Sequence, residues 1–191
     1  EVGIDLWAAI DAAATKPFGF QAFHPGPGVG GHCIPIDPNY LSWVAKRVGY
    51  RLRFVELAEE VSERMPAYVA RRVQDSLNRI SRPLNGSSVV LAGVSYKANV
   101  SDQRETPAKP LVAHLRAMGA EVSYVDSHID CFVVGGIEVP RVPSVDEAVR
   151  RADIVVVLQA HDEFLEADVL AGADCVLDTS GRLKGNNVER L

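Results

Sequence analysis

The sequence predicts an α/β protein, in which a helical region at residues 1–84 precedes a Rossmann-like, doubly wound parallel sheet at residues 85–191. Two observations support this fold class. Before residue 84, apolar side chains recur at spacings of three and four, which is typical of amphipathic helices. After Asn85-Gly86, short apolar or β-branched runs alternate with helical patterns, and this alternation indicates parallel strands joined by crossover helices.

The helical region contains three predicted helices. The first covers residues 5–14. The second begins at Asp37, which we expect to cap the helix, while Pro38 occupies the first turn, where its missing N–H costs nothing. The third covers residues 53–78 and contains Pro66, so we expect a kink or a restart there. Its continuous apolar stripe needs a partner surface, either a neighbouring helix or a second subunit.

The sheet region contains four predicted strands, at residues 88–94, 121–125, 153–158 and 174–177, with predicted helices at 107–118, 145–151 and 163–170. Ligands of such sheets bind beyond the carboxyl ends of the strands. The first of these ends, residues 93–97, leads toward a helix, as a phosphate-binding segment does. However, the Gly-x-Gly-x-x-Gly fingerprint is absent, because Ser95 and Tyr96 stand where close approach requires glycine. We therefore expect no complete, independent NAD site in this region.

Composition argues against several classes of function. The net charge of the 191 residues is −5, which disfavours a nucleic-acid partner held by a basic field. No apolar run approaches the roughly 20 residues that span a bilayer. Three widely separated cysteines do not form a disulfide framework, so a reducing cytoplasm is the predicted location. The chain begins without Met and enters a helical pattern at once, so we expect it to be a piece of a longer protein.

The segment from Pro25 to Asp37 combines glycines with a cysteine. Four glycines within six residues allow positive φ and close approach of a ligand to the main chain, and successive N–H groups can form an anion nest. Cys33 follows directly and lies near the start of the second predicted helix. A helix N-terminus favours the thiolate form of a nearby cysteine. The segment therefore predicts a nucleophilic sulfur beside a bound ligand.

Other interpretations of this segment stay open from the residues alone. A single cysteine in a loop is more often a small buried hydrophobic residue, and glycine/proline clusters are more often simple turns. His32 next to Cys33 suggests a hydrolase pair, although adjacent residues seldom face one another. A metal site needs ligands at a suitable spacing, and the sequence offers none.

Residues 15–20, together with residues 25–41, closely resemble the UDP-glucose/GDP-mannose dehydrogenase family. Residues 30–38 have the sequence Gly-Gly-His-Cys-Ile-Pro-Ile-Asp-Pro, which is most similar to that of the family's UDP-N-acetylhexosamine 6-dehydrogenase branch. The resemblance implies an NAD-dependent oxidation of the sugar C6 alcohol to a carboxylate in two hydride transfers, for surface polysaccharide precursor synthesis. It also implies that Cys33 forms a thiohemiacetal and then a thioester, and that Asp37 orients or activates water near the sulfur.

The resemblance further implies binding roles, and residues 93–107 are similar to the family's C-terminal UDP-binding domain. The positions that match substrate contacts are Gly28, Val29, Gly30, Tyr96 and Lys97. Arg104 matches an arginine that reaches NAD held on another domain. Without the resemblance, Lys97 and Arg104 are ordinary solvated charges.

One position departs from the family pattern. After the last predicted strand the family usually has an arginine that touches the substrate, but here Ser180 stands in its place. Arg182, two residues further on, is the candidate substitute. His24 and Lys16 are further candidates for a substrate contact.

The resemblance covers the family's central and C-terminal domains, but not its N-terminal NAD-binding domain. It implies that NAD is held mainly by a domain absent from this chain, that the chain alone is inactive, and that it binds a UDP-sugar as a homodimer through the central helices. Two alternatives stay open: a non-catalytic nucleotide-sugar-binding or dimerisation module, and a cysteine hydrolase or acyltransferase that uses Cys33. No residue identifies the sugar, because the candidate sugars differ at C2.

Overall fold

The computed structural model describes residues 3–166 and 169–191. Along these residues the helices are α1 (Leu6–Ala14), α2 (Asp37–Arg47), α3 (Arg53–Arg79), α4 (Ala108–Ala117), α5 (Val145–Arg151) and α6 (Asp162–Leu165). The strands are β1 (Ser88–Ala92), β2 (Glu121–Val125), β3 (Val133–Val134), β4 (Ile137–Glu138), β5 (Ile154–Val157), β6 (Val176–Asp178) and β7 (Val188–Arg190). The predicted α/β class, with helices first and a sheet second, is confirmed.

The larger sheet has five strands in the order β2-β1-β5-β6-β7, and every neighbouring pair is parallel. From β1 the chain first moves outward to β2 and then returns to the other side of β1 at β5. This reversal confirms the doubly wound topology and places the topological switch point between the carboxyl ends of β1 and β5. The short strands β3 and β4 form a separate antiparallel hairpin.

Helices cover both faces of the sheet. On one face, α3 and α4 contribute Leu77, Leu111 and Leu115, all fully buried against β1 and β5. On the other face, α5 and α6 contribute Ala148 and Phe164, which are also fully buried. Each large apolar side chain buried in this way contributes roughly 1.5–3 kcal/mol to folding, so the sheet and the helices on its two faces, including the second half of α3, form a substantial core.

Helix α3 runs without interruption through Pro66, so the predicted restart is wrong. Its second half packs into the sheet core, where Val69 and Val73 are fully buried, whereas Phe54 near its start is 90% exposed. A proline inside a helix removes one backbone N–H and frees the carbonyl of the residue four positions earlier, here Ser62. Pro66 is buried, and the glycine-rich loop lies against the helix here, since a Cβ atom added to Gly28 would be 3.4 Å from the Ser62 carbonyl oxygen and 3.8 Å from Pro66 Cδ.

The start of α2 differs from the prediction that Asp37 caps it. Asp37 is the first helical residue, and Ile36, which makes no side-chain capping bond, precedes it. The chain already turns before the helix, because the carbonyl of Cys33 accepts the N–H groups of Ile36 at 3.2 Å and Asp37 at 2.8 Å. These backbone bonds replace a side-chain cap.

Two further differences concern short elements. Strand β7 and the β3–β4 hairpin are absent from the sequence prediction, since each strand has only two or three residues. The predicted helix at 163–170 corresponds to α6, which ends at Leu165, and residues 167–168 lie outside the described residues.

The carboxyl end of the chain ties the helices to the sheet. Glu189 on β7 accepts hydrogen bonds from Arg72 at 2.6 Å and Ser76 at 2.7 Å, and it also pairs with Arg79. Burial raises the pKa of Glu189, but these hydrogen bonds lower it more, so the pKa lies below its ordinary value. At the other end of the chain, the Trp7 indole N–H of α1 donates to the backbone carbonyl of residue 191 at 3.0 Å.

Within residues 3–166 and 169–191, no helix combines the length and the apolar character needed to cross a membrane.

Candidate active site

The cysteine loop, defined here as residues 24–36, lies between α3 and the loop at residues 94–107 that follows β1. Two backbone N–H groups fix it. Val29 donates to the Ser62 hydroxyl of α3 at 3.0 Å, and Gly31 donates to the carbonyl of Arg104 at 3.0 Å. The two segments that the sequence singled out, far apart along the chain, are therefore in direct contact.

The glycines of the cysteine loop are needed for this contact. A Cβ atom added to Gly30 would lie 2.8 Å from both the Glu105 carbonyl oxygen and the Tyr96 Cβ. At Gly31, which has φ +99°, an added Cβ would lie 3.0 Å from a Tyr96 ring carbon. Close approach of one loop to the other thus requires glycine here. The anion-nest prediction is only partly compatible with this arrangement, because the N–H groups of Val29 and Gly31 already have protein partners.

Cys33 lies at the end of the glycines and has an exposed, free thiol. Its carbonyl receives the first N–H groups at the start of α2, so the residue sits directly before the helix N-terminus. Asp37, exposed in the first turn of α2, lies on the same end of that helix.

Arg104 is held in place by Asp102, two residues earlier. The guanidinium donates to both carboxylate oxygens, with Nη2 2.6 Å from Oδ2 and Nε 3.0 Å from the same oxygen. This hydrogen bonding raises the pKa of Arg104, and smaller contributions come from Tyr96 and Cys33. The same bond lowers the pKa of the Asp102 carboxyl. Arg104 is therefore a fixed cation beside the cysteine loop.

Three further predicted residues, Lys97, Arg182 and His24, have surroundings of their own. Lys97 is exposed in the loop after β1. Arg182 follows β6, and its guanidinium donates to the Ala160 carbonyl at 3.4 Å. His24 stacks on Trp7 of α1, with ring centroids 5.5 Å apart and planes 16° from parallel.

A cavity of about 1260 Å³ opens beside His24, between α1, α3 and the last residues of the chain. Gly28 and Val29 also line this cavity, and Lys184 and Arg72 contribute positive charge to its wall. A second, more apolar cavity of about 780 Å³ lies between the cysteine loop, α2, α3 and the start of α4. Gly28 and Val29 line both cavities, so the glycine segment separates them.

Comparison with known proteins assigns both halves of the chain to one family. Residues 1–64 match the central domain of the UDP-glucose/GDP-mannose dehydrogenase family, and residues 90–185 match its UDP-binding domain. The chain belongs to this family. The resemblance stated from the sequence is therefore confirmed, and the two matched ranges contain the cysteine loop and the loop after β1.

Individual relatives agree with this assignment. UDP-N-acetyl-D-mannosamine dehydrogenase of Methanococcus maripaludis (strain C7) is 38% identical over 86% of this chain and 35% of its own length. NDP-N-acetyl-D-galactosaminuronic acid dehydrogenase of Ralstonia solanacearum is 35% identical over 95% of this chain and 41% of its own length. The solved structure of UDP-D-ManNAc dehydrogenase from Pyrococcus horikoshii superposes with a TM-score of 0.82 at 25% identity, over 98% of this chain and 44% of that one. The chain thus spans well under half of these relatives.

In this member of the dehydrogenase family, the carboxyl end of β1 is filled by the protein itself. The Asp126 carboxylate, which is buried, accepts the N–H groups of Val94 at 2.8 Å and Ser95 at 3.3 Å. Buried His161 contacts the same oxygen through Nε2 at 3.1 Å. Burial raises the pKa of Asp126, but these hydrogen bonds lower it more, so the carboxyl stays ionised. An anion already occupies the place where a glycine fingerprint would present N–H groups to a pyrophosphate.

Sequence reasoning gave no role to Asp126 or His161. The sequence did contain an indication of a role, since both residues follow predicted strands at the edge where ligands of such sheets bind. Their contact could not be predicted, because the two residues lie 35 positions apart and only the fold brings them together.

Proposed function

We propose that this chain is the cysteine-bearing and UDP-sugar-binding part of an NAD-dependent nucleotide-sugar 6-dehydrogenase. The whole protein would oxidise the C6 alcohol of a UDP-N-acetylhexosamine to a carboxylate, in the cytoplasm, for surface polysaccharide precursor synthesis. The observation that carries this proposal is the contact between the two loops. The hydrogen bond from Gly31 to Arg104 sets Cys33 beside the segment that, in this family, belongs to the UDP-binding domain.

Cys33 supplies the covalent chemistry in this proposal. Its thiolate attacks the C6 aldehyde carbon, and the aldehyde oxygen takes a proton to give a thiohemiacetal. Loss of hydride from C6, together with loss of the proton from the thiohemiacetal hydroxyl, gives the thioester. Water, oriented by Asp37, then attacks the thioester carbon, the carbon–sulfur bond breaks, and the carboxylate leaves with Cys33 regenerated as thiolate. The position of both residues at the N-terminal end of α2 supports this division of roles.

The binding roles divide between the two loops. Gly28, Val29 and Gly30 line the sugar and its diphosphate, and Tyr96 and Lys97 contact the nucleotide. His24 and Arg182 are additional contacts in this proposal, although their side chains face Trp7 and the Ala160 carbonyl, respectively. Specificity for the C2 substituent of the sugar is not attributed to any residue of this chain.

NAD, when bound, supplies the acceptor for the two hydrides. The described residues do not fit a complete NAD site, because Asp126 fills the carboxyl end of β1 and Arg104 is the only residue attributed to the cofactor. We therefore propose that NAD is held mainly by residues of the whole protein outside these 191. The chain alone would then bind a UDP-sugar and turn nothing over.

A homodimer through the helices of residues 1–84 is part of the proposal. Apolar side chains on these helices are strongly exposed, and their fractional exposures include Trp43 at 58%, Phe54 at 90%, Leu57 at 55% and Val61 at 52%. Apolar surface of this extent on a single chain marks an association surface. A second copy of the same chain is the occupant that we propose.

Labelling of the Cys33 thiol tests the proposed site. We expect a UDP-sugar to slow alkylation of Cys33 by iodoacetamide about tenfold or more at saturation, because bound substrate covers the sulfur. Cys131 is exposed as well and lies outside the proposed site, so its alkylation rate serves as an internal control.

Equal alkylation of Cys33 with and without UDP-sugar would contradict the proposed substrate site. Protection by esters or peptides instead of UDP-sugars would favour a cysteine hydrolase. In the whole protein, Cys33→Ser should abolish formation of the carboxylate. If turnover persisted in that variant, Cys33 would have no covalent role. The 191 residues would then be a nucleotide-sugar-binding module that does not take part in the chemistry.

A further inference from the structure

The pair of Asp126 and His161 is the largest buried polar feature that the proposed reaction does not use. His161 is completely buried, and its ring nitrogens have different partners. Nδ1 accepts the backbone N–H of Asn99 at 2.8 Å, so the ring proton resides on Nε2, which donates to Asp126 at 3.1 Å. One neutral tautomer satisfies both contacts.

These contacts fix the first part of the loop after β1, residues 94–99, at both ends. Asp126 holds its beginning, through Val94 and Ser95, and His161 holds Asn99 five residues after Val94. Asn99 has a left-handed backbone, with φ 60°, and its side chain accepts the N–H of Asp162 at 3.1 Å. A residue in this conformation stays there only where its surroundings hold it.

Tyr96 and Lys97 lie between the two fixed ends. The carbonyl of Tyr96 also accepts a hydrogen bond from the Gln159 side chain at 3.1 Å, and the Tyr96 ring packs against Gly31 of the cysteine loop. The conformation of this short segment therefore depends on β5 and the residues that follow it. The cysteine loop packs against this segment, so its position depends on the same residues.

We propose that His161 is a positioning residue for the nucleotide sugar. Through Asn99 it sets the conformation in which Tyr96 and Lys97 meet the UDP group, while Asp126 takes the place of a bound phosphate inside the sheet and leaves the ligand to bind on the outer side of the loop. This inference rests on the proposed function. A loop that is already ordered loses less conformational entropy when the ligand binds, so the affinity for the ligand is higher.

Two substitutions separate the contacts of His161. Asn at this position places an amide oxygen where Nδ1 lies and keeps the acceptor for Asn99. Gln places an amide nitrogen where Nε2 lies and keeps the donor to Asp126. Both variants lose one buried hydrogen bond, so both should lower the melting temperature. His128→Gln is a matched control, because its ring touches that of His161, with centroids 4.8 Å apart, but its side chain is exposed.

Titration of UDP into the 191-residue chain by calorimetry gives the decisive measurement. We expect His161→Gln to weaken UDP binding about tenfold, while His161→Asn and His128→Gln stay within about threefold of the unaltered chain. Hydrogen exchange at the Asn99 amide should quicken in His161→Gln alone, which reports loss of the contact directly.

The possible failures are distinguishable. If the unaltered chain binds UDP and both His161 variants bind equally well or equally poorly, the inference is overturned and the histidine is merely structural. If the unaltered chain does not bind UDP at all, the proposed function fails, and the inference falls with it.

Discussion

The sheet region and the helical region differ in how far the same type of side chain is exposed to solvent. Phe164, on α6, is completely buried in the sheet core, whereas Phe18 and Phe54 in the helical region are 89% and 90% exposed. In α1 and α2 only Trp7 and Ser42 are buried. The sheet region thus obtains its stability from a core that it shares with the second half of α3, while the apolar surface of the rest of the helical region is available for association.

The two regions also differ in their proposed chemical roles. The proposed nucleophile lies in the helical region and the proposed nucleotide contacts lie in the sheet region. The two regions are joined by the second half of α3, by the contact between the two loops, by the hydrogen bonds of Glu189 and by the hydrogen bond from Trp7 to the carbonyl of residue 191. The proposed active site depends on this junction. Variants in each region and at the junction separate their contributions.

The largest expected effect is in the sheet core. Phe164→Ala should lower the free energy of unfolding by about 3–5 kcal/mol, because it removes a large, fully buried side chain and leaves a cavity. Phe54→Ala removes the same side chain from an exposed position and should change the unfolding free energy of the monomer, measured at a concentration too low for association, by less than about 0.5 kcal/mol. Chemical denaturation measures both.

The two phenylalanines should also differ in association. Sedimentation velocity should show a dimer for the unaltered chain and a larger monomer fraction for Phe54→Ala, since the exposed ring lies on the proposed association surface. A monomer at all concentrations for the unaltered chain would refute the homodimer. A large loss of stability in Phe54→Ala would contradict the division into two regions.

The contact between the loops gives an intermediate effect. Gly30→Ala should destabilise the chain by about 1–3 kcal/mol, because the new methyl group overlaps the Glu105 carbonyl and the Tyr96 side chain. Gly26→Ala is a matched control in the same loop, since an added Cβ there meets no atom within 4 Å. Limited proteolysis of the cysteine loop and denaturation measure the outcome. Similar behaviour of the two variants would show that the loops are not in contact in solution.

The smallest effect is expected at the junction of α3 and β7. The pKa of Glu189 in the folded chain lies below its ordinary value of 4.5, so folding favours the ionised carboxylate. Its contribution to stability is therefore present above about pH 4.5 and is lost as the pH falls through the lowered pKa. Glu189→Gln should cost about 1–2 kcal/mol at pH 7 and progressively less under more acidic conditions.

Thermal unfolding at several pH values measures this difference. Glu138→Gln, at an exposed position on β4, is the control and should leave the pH dependence unchanged. A constant difference between Glu189→Gln and the unaltered chain across the acid range would show that the carboxylate charge does not matter.

Local patterns were sufficient to predict most of the fold. The prediction for β2 agrees at both ends, and so does that for α5, whose Ser144 caps the helix by accepting the N–H of Glu147. Strand β7 was missed because Val188 is its only apolar residue, and its central Glu189 serves the ion pairs with α3. A short edge strand of this kind has no periodic pattern to detect.

The candidate site was predicted only in part. Glycine content and the position of Cys33 before a helix identified the cysteine loop, and the family resemblance identified Tyr96 and Arg104. The contact between these segments could not be predicted, because Gly31 and Arg104 lie 73 positions apart. The same limit applies to His161, since its role depends on an Asn99 amide that only the fold brings near.

The course of α3 has a consequence for motion. A helix of 27 residues extends about 40 Å, and a continuous hydrogen-bonded helix bends little along its length. Since one half of α3 is buried in the sheet core and the other half lies among the exposed apolar residues, these two surfaces keep a fixed separation and direction. A partner bound to the exposed half would therefore also set the orientation of the sheet region, except to the extent that α3 bends at Pro66, where one helical hydrogen bond is missing.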